Sequence, residues 1–451
     1  MLKSCVMARL ATVAIIGRPN TGKSTLFNRL IGRRKAIVSD TPGTTRDQIA
    51  ARKTGVELDY IVIDTGGIGG GSEDTDFEDD VERQSVLAVE NADVIVFTVN
   101  SRDPLTKSDF TVADILRKRG RGHVPVLLVL TKCDDPEATE EVLPTFYELG
   151  MAENIIPVSA DHNSGIAELE SAIEEHLRKL HFVRTPESET KAPRIAIVGK
   201  PNVGKSSLVN AFMSDSERQK GAIIVSDVPG TTRDAVDTEI RYHDRDYVFT
   251  DTAGIRRRKD TEREIEAYAT FRTIREIEEC DLVVLVMDAT ETLSRQDKRI
   301  AGLAVDAGKA LIILLNKVDL TNADTRELRL KEIEGYFQFC KFAPVIPVSA
   351  KTREGLLKIF DHIETAVRNR ERRIATKDLN EWYRRTVYGQ PMGEIGKSKH
   401  ITQSDDIPPT FVVFVRDPKK VQVSQLRYLD NSIRKTFAFE GTPIRWISKA
   451  G

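Results

Sequence analysis

Two lysines, Lys23 and Lys205, each follow a glycine, precede a serine and stand seventh in a run that begins with glycine. Gly17, Asn20, Gly22 and Ser24 hold fixed places around the first, and Gly199, Asn202, Gly204 and Ser206 repeat them around the second. Each run fits G-x-x-x-x-G-K-[ST], follows an apolar stretch that reads as a strand (12–16 and 194–198) and opens a helix, the context that makes it a phosphate-binding loop. The chemistry is capture of a triphosphate. Glycines let the backbone turn tightly, and successive N–H groups with the helix N-terminus form an anion nest. The lysine reaches the β- and γ-phosphates while the hydroxyl of Ser24 or Ser206 ligates Mg²⁺. Thr25 and Ser207, next in the helical turn, are expected at the phosphates as well. A glycine-rich turn that binds nothing is the plain alternative, and matching motifs downstream of both copies argue against it.

Those motifs return in register. A Pro-Gly-Thr-Thr-Arg-Asp stretch ends at Asp47 and again at Asp234, and Asp64 with Gly67 returns as Asp251 with Gly254. The copies stand 182 residues apart at the P-loops, 187 at these aspartates and 185 at Asp134 and Asp319. The repeating unit is therefore a domain, not a solenoid turn. Asp64 and Asp251 are expected to hold Mg²⁺ through water. Thr45 and Thr232, or their neighbours Thr44 and Thr231, are expected to close on Mg²⁺ and the γ-phosphate only with GTP bound. Residues 35–47 and 221–234 then read as switch segments.

Thr131, Lys132 and Asp134, like Asn316, Lys317 and Asp319, follow strands rich in leucine and valine. A carboxylate there accepts two parallel hydrogen bonds from guanine N1–H and the 2-amino group. Adenine offers no such pair, so Asp134 and Asp319 select GTP over ATP. Ser159 with Ala160, and Ser349 with Ala350, supply a backbone contact behind the base. A lone Lys-x-Asp is commonly a solvated loop; its place after P-loop, threonine and Asp-Thr-x-Gly makes it specific.

Through these residues the chain resembles, over nearly its whole length, the tandem-GTPase family called Der or EngA, bacterial ribosome-assembly GTPases. The resemblance implies an α/β fold with two consecutive P-loop GTPase domains, 9–180 and 194–370, joined by a linker over 181–193. A small C-terminal α+β K-homology-like domain, 371–451, follows. It implies binding of GTP and GDP with Mg²⁺, hydrolysis to GDP and phosphate, and nucleotide-gated association with the large ribosomal subunit or its precursors through rRNA. A cytoplasmic monomer without membrane contact is expected. The family reads Asn-Lys-x-Asp in both halves, whereas the first copy here begins with Thr131. Threonine can make only part of the asparagine's contacts to guanine N7 and the P-loop, so a weaker but still guanine-selective first site is expected.

GTP hydrolysis asks for positioning and charge neutralisation more than covalent chemistry, which makes Lys23, Lys205, Thr45, Thr232, Asp64 and Asp251 the catalytic candidates. Where many GTPases place a water-orienting glutamine after Asp-Thr-x-Gly, this chain has Ile68 and Ile255. Slow basal turnover is expected. The resemblance suggests a helper, K⁺ held partly by Asn20 and Asn202; turn stabilisation is the plain alternative for both asparagines. Arg256, Arg257, Arg258 and Lys259 follow the second aspartate motif and are expected to meet rRNA or the tail domain in the GTP state, or else to be surface charge. A competing class is a nucleotide-gated RNA or protein scaffold in which one site is structural and turnover incidental.

The elements that must position these groups alternate between strands and amphipathic helices, which implies parallel sheets with helices on both faces and ligands at the carboxyl ends of the strands. With 451 residues and 40% hydrophobic content the chain can build two or three cores. Cys5, Cys133, Cys280 and Cys340 form no C-x-x-C, which argues against a disulfide framework or metal module and suits a reducing cytosol. No apolar run reaches membrane length, no lipidation motif is visible, and residues 1–8 lack a signal-peptide core and read as a frayed end. The polar, proline-bounded stretch 181–193 reads as a linker.

Residues 368–451 hold 17 Lys and Arg against 9 Asp and Glu, a net charge of +8 on a chain whose total is −2. A basic tail on acidic G domains suggests a polyanionic partner, RNA being the natural one; simple solvation is the alternative. The tail reads as helix 377–387, strand 410–416, helix 424–437 and strand 442–447, with a further strand near 398–402. No loop that clamps nucleotide backbone in the Gly-x-x-Gly manner is expected between its helices, although Gly393 and Gly396 have that spacing, and 389–393 is less basic than the family's counterpart. RNA contact therefore needs another surface, with Arg384, Arg385, Lys419, Lys420, Arg434 and Lys435 as candidates. Tyr383 and Tyr428 read as core.

Overall fold

The computed structural model describes residues 9–32, 49–67, 77–119, 124–151, 155–184, 192–218, 223–229, 236–243, 245–250, 265–388, 392–398 and 400–451. The first sheet has the order β2-β3-β1-β4-β5-β6, built from β1 (Ala11–Ile16), β2 (Ala50–Thr54), β3 (Asp59–Asp64), β4 (Val94–Asn100), β5 (Val126–Thr131) and β6 (Ile155–Pro157). The apolar runs of β1, β3, β4 and β5 leave no polar face, so both sides must be covered. Ala14, Ile16, Ile95 and Phe97 pack towards α2 (Phe77–Asn91) and α3 (Lys107–Arg119), while Val13, Ile15, Val94 and Val96 pack towards α1 (Lys23–Leu30) and α5 (Ile166–Lys179). Between β5 and β6 runs α4 (Pro136–Phe146), whose N-terminus is capped by the Asp135 carboxylate.

The second sheet repeats this plan in the order β13-β12-β11-β7-β10-β9-β8. Its strands are β7 (Arg194–Val198), β8 (Ile223–Pro229), β9 (Val236–Tyr242), β10 (Arg245–Thr250), β11 (Leu282–Asp288), β12 (Ala310–Asn316) and β13 (Val345–Pro347). The helices are α6 (Lys205–Arg218), α7 (Ile265–Glu279), α8 (Arg295–Asp306), α9 (Ala323–Tyr336) and α10 (Lys358–Arg370). The sheets are not parallel throughout, as alternation alone suggests. β2 runs antiparallel to β3, and β9 runs antiparallel to both of its neighbours, β8 and β10. The reason is loop length: residues 55–58 between β2 and β3 make a turn closed by Gly55 N–H on the Leu58 carbonyl at 3.1 Å, too short for the crossover a parallel pair needs. Strand β8 also occupies much of the stretch read as the second switch segment.

The tail comprises α11 (Thr376–Val387), α12 (Gly393–Gly396), β14 (Ile401–Gln403), β15 (Thr410–Val415), α13 (Val423–Phe437) and β16 (Arg445–Ala450). Its three strands order as β14-β15-β16 around a core of Leu379, Trp382, Tyr383, Phe411, Leu429, Ile433 and Trp446. The last strand starts three residues later than the sequence suggests, because the chain before it docks elsewhere. Gly441 donates its N–H to the Phe342 carbonyl at 2.7 Å, and its own carbonyl accepts the Leu311 N–H of β12 at 2.8 Å.

Arg434, expected on an RNA-facing surface, is instead part of this junction. Its guanidinium reaches the Phe439 and Thr442 carbonyls at 2.7 and 2.9 Å, pairs with Asp430 and lies 4.8 Å from the Phe342 ring centre. Tyr383 is core, but Tyr428 is exposed. At the other end of the second domain, Phe271 and Ile274 of α7 join the apolar cluster of Val81, Ala88, Val112 and Leu116 from α2 and α3, and the Leu10 N–H donates to Glu279 Oε1 at 2.8 Å.

Candidate functional site

In each half the central strand lies between neighbours reached in opposite directions, β1 between β3 and β4 and β7 between β10 and β11. That reversal is where open sheets of this type bind ligands, at the carboxyl ends of the strands. The P-loops leave β1 and β7 there. Asn20 and Asn202 adopt φ of 66° and 64°, and Gly22 and Gly204 φ of 83° and 99°. Helix α1 has no side-chain cap on Gly22 and no acid in its first turn, so its first N–H groups are left for an anion. Lys23 folds back over the loop, its ammonium donating to the Gly17 and Arg18 carbonyls at 2.9 and 2.8 Å. Lys205 does the same to Gly199 at 2.8 Å and Lys200 at 2.5 Å. Burial pushes the Lys23 ammonium below its ordinary pKa, with Asp64 pulling the other way; the phosphates of a nucleotide supply the missing counter-charge.

Asp64 ends β3, is buried, and accepts the Ser24 hydroxyl at 2.6 Å and the Gly66 N–H at 3.0 Å. Two hard oxygens meeting beside Lys23 are a donor set that suits Mg²⁺. Gly67 closes the short turn Thr65–Gly67 after that strand. The remaining expectations for this part, Thr44, Thr45, Ile68, Thr231, Thr232, Asp251, Gly254, Ile255 and the cluster 256–259, lie outside the described residues. Ser206, Thr25 and Ser207 take the corresponding places at the starts of α6, α1 and α6.

The corner expected to read the base assembles from β5 and β6, and again from β12 and β13. Lys132 and Lys317 both adopt left-handed backbone, φ 60° and 65°, which turns the chain so that the aspartate two residues on meets the following serine loop. Ser159 donates its hydroxyl to Asp134 Oδ1, and Ser349 donates to Asp319 Oδ1 at 2.6 Å. The Ser159 hydroxyl, ahead of the charge of Arg102, holds the Asp134 carboxyl below the usual carboxylate range, so it is an acceptor at any neutral pH.

The two corners differ at Thr131 and Asn316. Asn316 Nδ2 donates to the Val203 carbonyl in the P-loop at 2.8 Å, and its Oδ1 accepts the Ala350 N–H at 3.0 Å. Thr131 keeps the first tie, with Oγ1 2.6 Å from the Thr21 carbonyl. Among the described residues no bond joins it to Ala160. The space shows the same difference: a Cβ on Gly204 would sit 2.2 Å from Asn316 Nδ2, whereas one on Gly22 would meet only Thr131, at 3.7 Å.

Motif reading missed Asp288 and Arg102. Strand register equates the ends of β4 and β11, with Asn100 opposite Thr131 and Asp288 opposite Asn316. Asp288 binds the Lys317 ammonium at 2.5 Å. Burial pushes its carboxyl up, but the Lys317 and Thr290 bonds outweigh this and hold it below its ordinary range. Comparing the two copies at the strand ends, where Asp288 directly follows Met287 and Arg102 stands three residues past Val99, is the sequence signal that finds them.

A family model described as 50S ribosome-binding GTPase matches residues 12–132 and 194–317, and one described as KH-domain-like of EngA bacterial GTPase enzymes, C-terminal, matches 373–449. The chain is 40% identical over 443 residues to GTPase Der of Listeria monocytogenes serotype 4a (strain HCC23), covering 97% of this chain and 98% of that one. The chain belongs to the GTPase Der family. A second Der relative, from Lachnoclostridium phytofermentans, is 42% identical over 444 residues, 96% of this chain and 97% of its own. Among solved structures, Aquifex aeolicus Era bound to GDP and aluminium fluoride is similar at 24% identity and a TM-score of 0.30, over 49% of this chain and 72% of that one. As a Der GTPase the chain binds GTP and GDP with Mg²⁺ and hydrolyses GTP. No helix among the described residues is long and apolar enough to cross a membrane.

Proposed function

We propose that this Der GTPase is a cytoplasmic, monomeric assembly factor whose two G domains gate binding to the large ribosomal subunit or its precursors. The observation that carries this reading is the pairing of two similar carboxylate corners, at Asp134 and Asp319, with a C-terminal stretch, residues 368–451, of net charge +8. Exposed Lys419, Lys420, Arg384, Arg385 and Lys435 offer that domain's charge to phosphates, while the rest of the chain is acidic.

In this reading Lys23 and Lys205 neutralise the β- and γ-phosphates, and Gly17, Gly22, Gly199 and Gly204 bring backbone amides close to them. Ser24 and Ser206, with Asp64 and Asp251 and with Thr45 and Thr232, would hold Mg²⁺. A metal held there would supply positive charge against the phosphates. Asp134 and Asp319 select guanine, backed by Ser159, Ala160, Ser349 and Ala350. Ile68 and Ile255 cannot orient water, so basal turnover would be slow, and Asn20 and Asn202, both at positive φ, would contribute their side-chain oxygens to a K⁺ ion.

Sucrose-gradient sedimentation with ribosomal particles in GDP, GTP and a non-hydrolysable GTP analogue tests the proposal. Co-migration with the large subunit only in the GTP-like states is expected; no association in any state refutes it. The incomplete contacts of Thr131 favour a second reading, in which the first site is regulatory and turnover resides in the second. Lys23→Ala and Lys205→Ala, assayed separately, decide: under this reading only Lys205→Ala abolishes hydrolysis.

A further inference from the structure

We propose that Arg102 is a cap on the guanine-reading carboxylate of the first G domain, and that guanine nucleotide must displace it to bind. The proposal rests on the reading of Asp134 as the base selector and adds the residue that makes the two sites unequal by charge.

The comparison is internal to the chain. Ser101 N–H bonds the Thr131 carbonyl at 3.0 Å and Ala289 N–H bonds the Asn316 carbonyl at 2.9 Å. The next N–H turns back onto the strand-end side chain in both copies, Arg102 onto Asn100 Oδ1 at 3.1 Å and Thr290 onto Asp288 Oδ1 at 2.8 Å. Arg102 and Thr290 therefore stand at the same place beside the base corner. Thr290 points its hydroxyl at Asp288, 2.7 Å away, and away from Asp319. Arg102 extends to Asp134 and bonds Oδ2, while Ser159 holds Oδ1. Both oxygens that guanine N1–H and the 2-amino group need are engaged in the first site. In the second, Ser349 holds Oδ1 of Asp319 and, among the described residues, no side chain holds Oδ2.

Charge moves the same way. The second corner has the acid Asp288, which ties down Lys317; the first has neutral Asn100, whose amide bonds Asp103 at 2.7 Å. Arg102 is 62% exposed, so its pair with Asp134 belongs to the weak, salt-screened class. That makes it displaceable, not a lock.

The test uses the full chain carrying Asp319→Asn, which offers an N–H to the 2-oxo group of xanthine and moves the second site from guanine to xanthine nucleotides. Ribose-labelled fluorescent GDP then reports on the first site by stopped flow. Adding Arg102→Ala is expected to raise first-site affinity by about two- to fivefold, the range of an exposed ion pair. The gain should shrink as KCl is raised. An unchanged or weaker affinity, or a gain indifferent to salt, overturns the cap. Asp134→Asn on the same background separates the failures. Loss of GDP binding there with a flat Arg102→Ala response refutes the cap alone, whereas GDP binding that survives Asp134→Asn refutes the base reading beneath it.

Discussion

Asn316→Thr in the second site imports the first site's chemistry, and the structure says how much should be lost. Thr131 shows that a threonine at this place still ties to the P-loop, at 2.6 Å to Thr21 against 2.8 Å for Asn316 to Val203. The bond that goes is Asn316 Oδ1 to the Ala350 N–H, 3.0 Å, which holds the loop behind the base. One neutral hydrogen bond contributes about 0.5–1.5 kcal/mol, so GDP affinity should fall about two- to tenfold. The assay is calorimetric titration of the full chain with Asp134→Asn as the parent, so that GDP reports on the second site, with thermal unfolding to check that both proteins are folded. A change under twofold would refute the idea that the Ala350 tie matters. A loss beyond about a hundredfold would refute the claim that threonine can replace the P-loop tie.

Gly204→Ala should abolish nucleotide binding at the second site, because its methyl lands 2.2 Å from Asn316 Nδ2. Gly22→Ala, with only Thr131 at 3.7 Å, should cost little more than the roughly 1–2 kcal/mol of left-handed strain; equal losses in the two titrations would contradict the packing difference. At the seam between the G domains, desolvation raises the Glu279 carboxyl above its ordinary value. The folded chain then binds more protons than the unfolded one from the unfolded carboxyl's pKa up to the raised one, so stability falls as pH rises through that window. Glu279→Gln keeps an acceptor for Leu10 and should raise the melting temperature at pH 7, a gain that vanishes towards pH 4; a gain that persists at pH 4 would mean the charge is not its cause. GTP hydrolysis should run faster in KCl than in NaCl at equal ionic strength, and equal rates would take the asparagines out of the catalytic account.

Much of the site was legible because its motifs are local: a P-loop is a glycine spacing followed by a helix, and Lys-x-Asp follows an apolar strand. What was not legible is what depends on partners distant in sequence. Arg434 looked like a surface charge because nothing in its helix reveals Phe342, 92 residues away. Tyr428 read as core by composition, yet the helix rotates it outward beside Arg427. Arg102 carried no motif, and only strand register, which pairs Asn100 with Thr131, brings it beside Asp134. The antiparallel edge strands escaped because their short loops, not their apolar patterns, decide direction.

The bond between Leu311 and Gly441 has a bearing on any attempt to cut this molecule into parts. Leu311 belongs to β12, and five residues later the same strand ends at Asn316, which packs on the P-loop and holds Ala350. A strand rises about 3.3 Å per residue, so the tail's loop grips a stiff rod some 17 Å from the guanine corner at its other end. Removing the tail takes away the acceptor of the Leu311 N–H and part of the cover of a residue wholly buried in the full chain, and a side chain at Gly441 would press on Ala366 at 2.4 Å. The C-terminal domain is thus joined through β12 to the second P-loop, so a second G domain cut free of the tail has lost a partner of the strand that carries Asn316, and its nucleotide affinity is no clean measure of that site in the full chain.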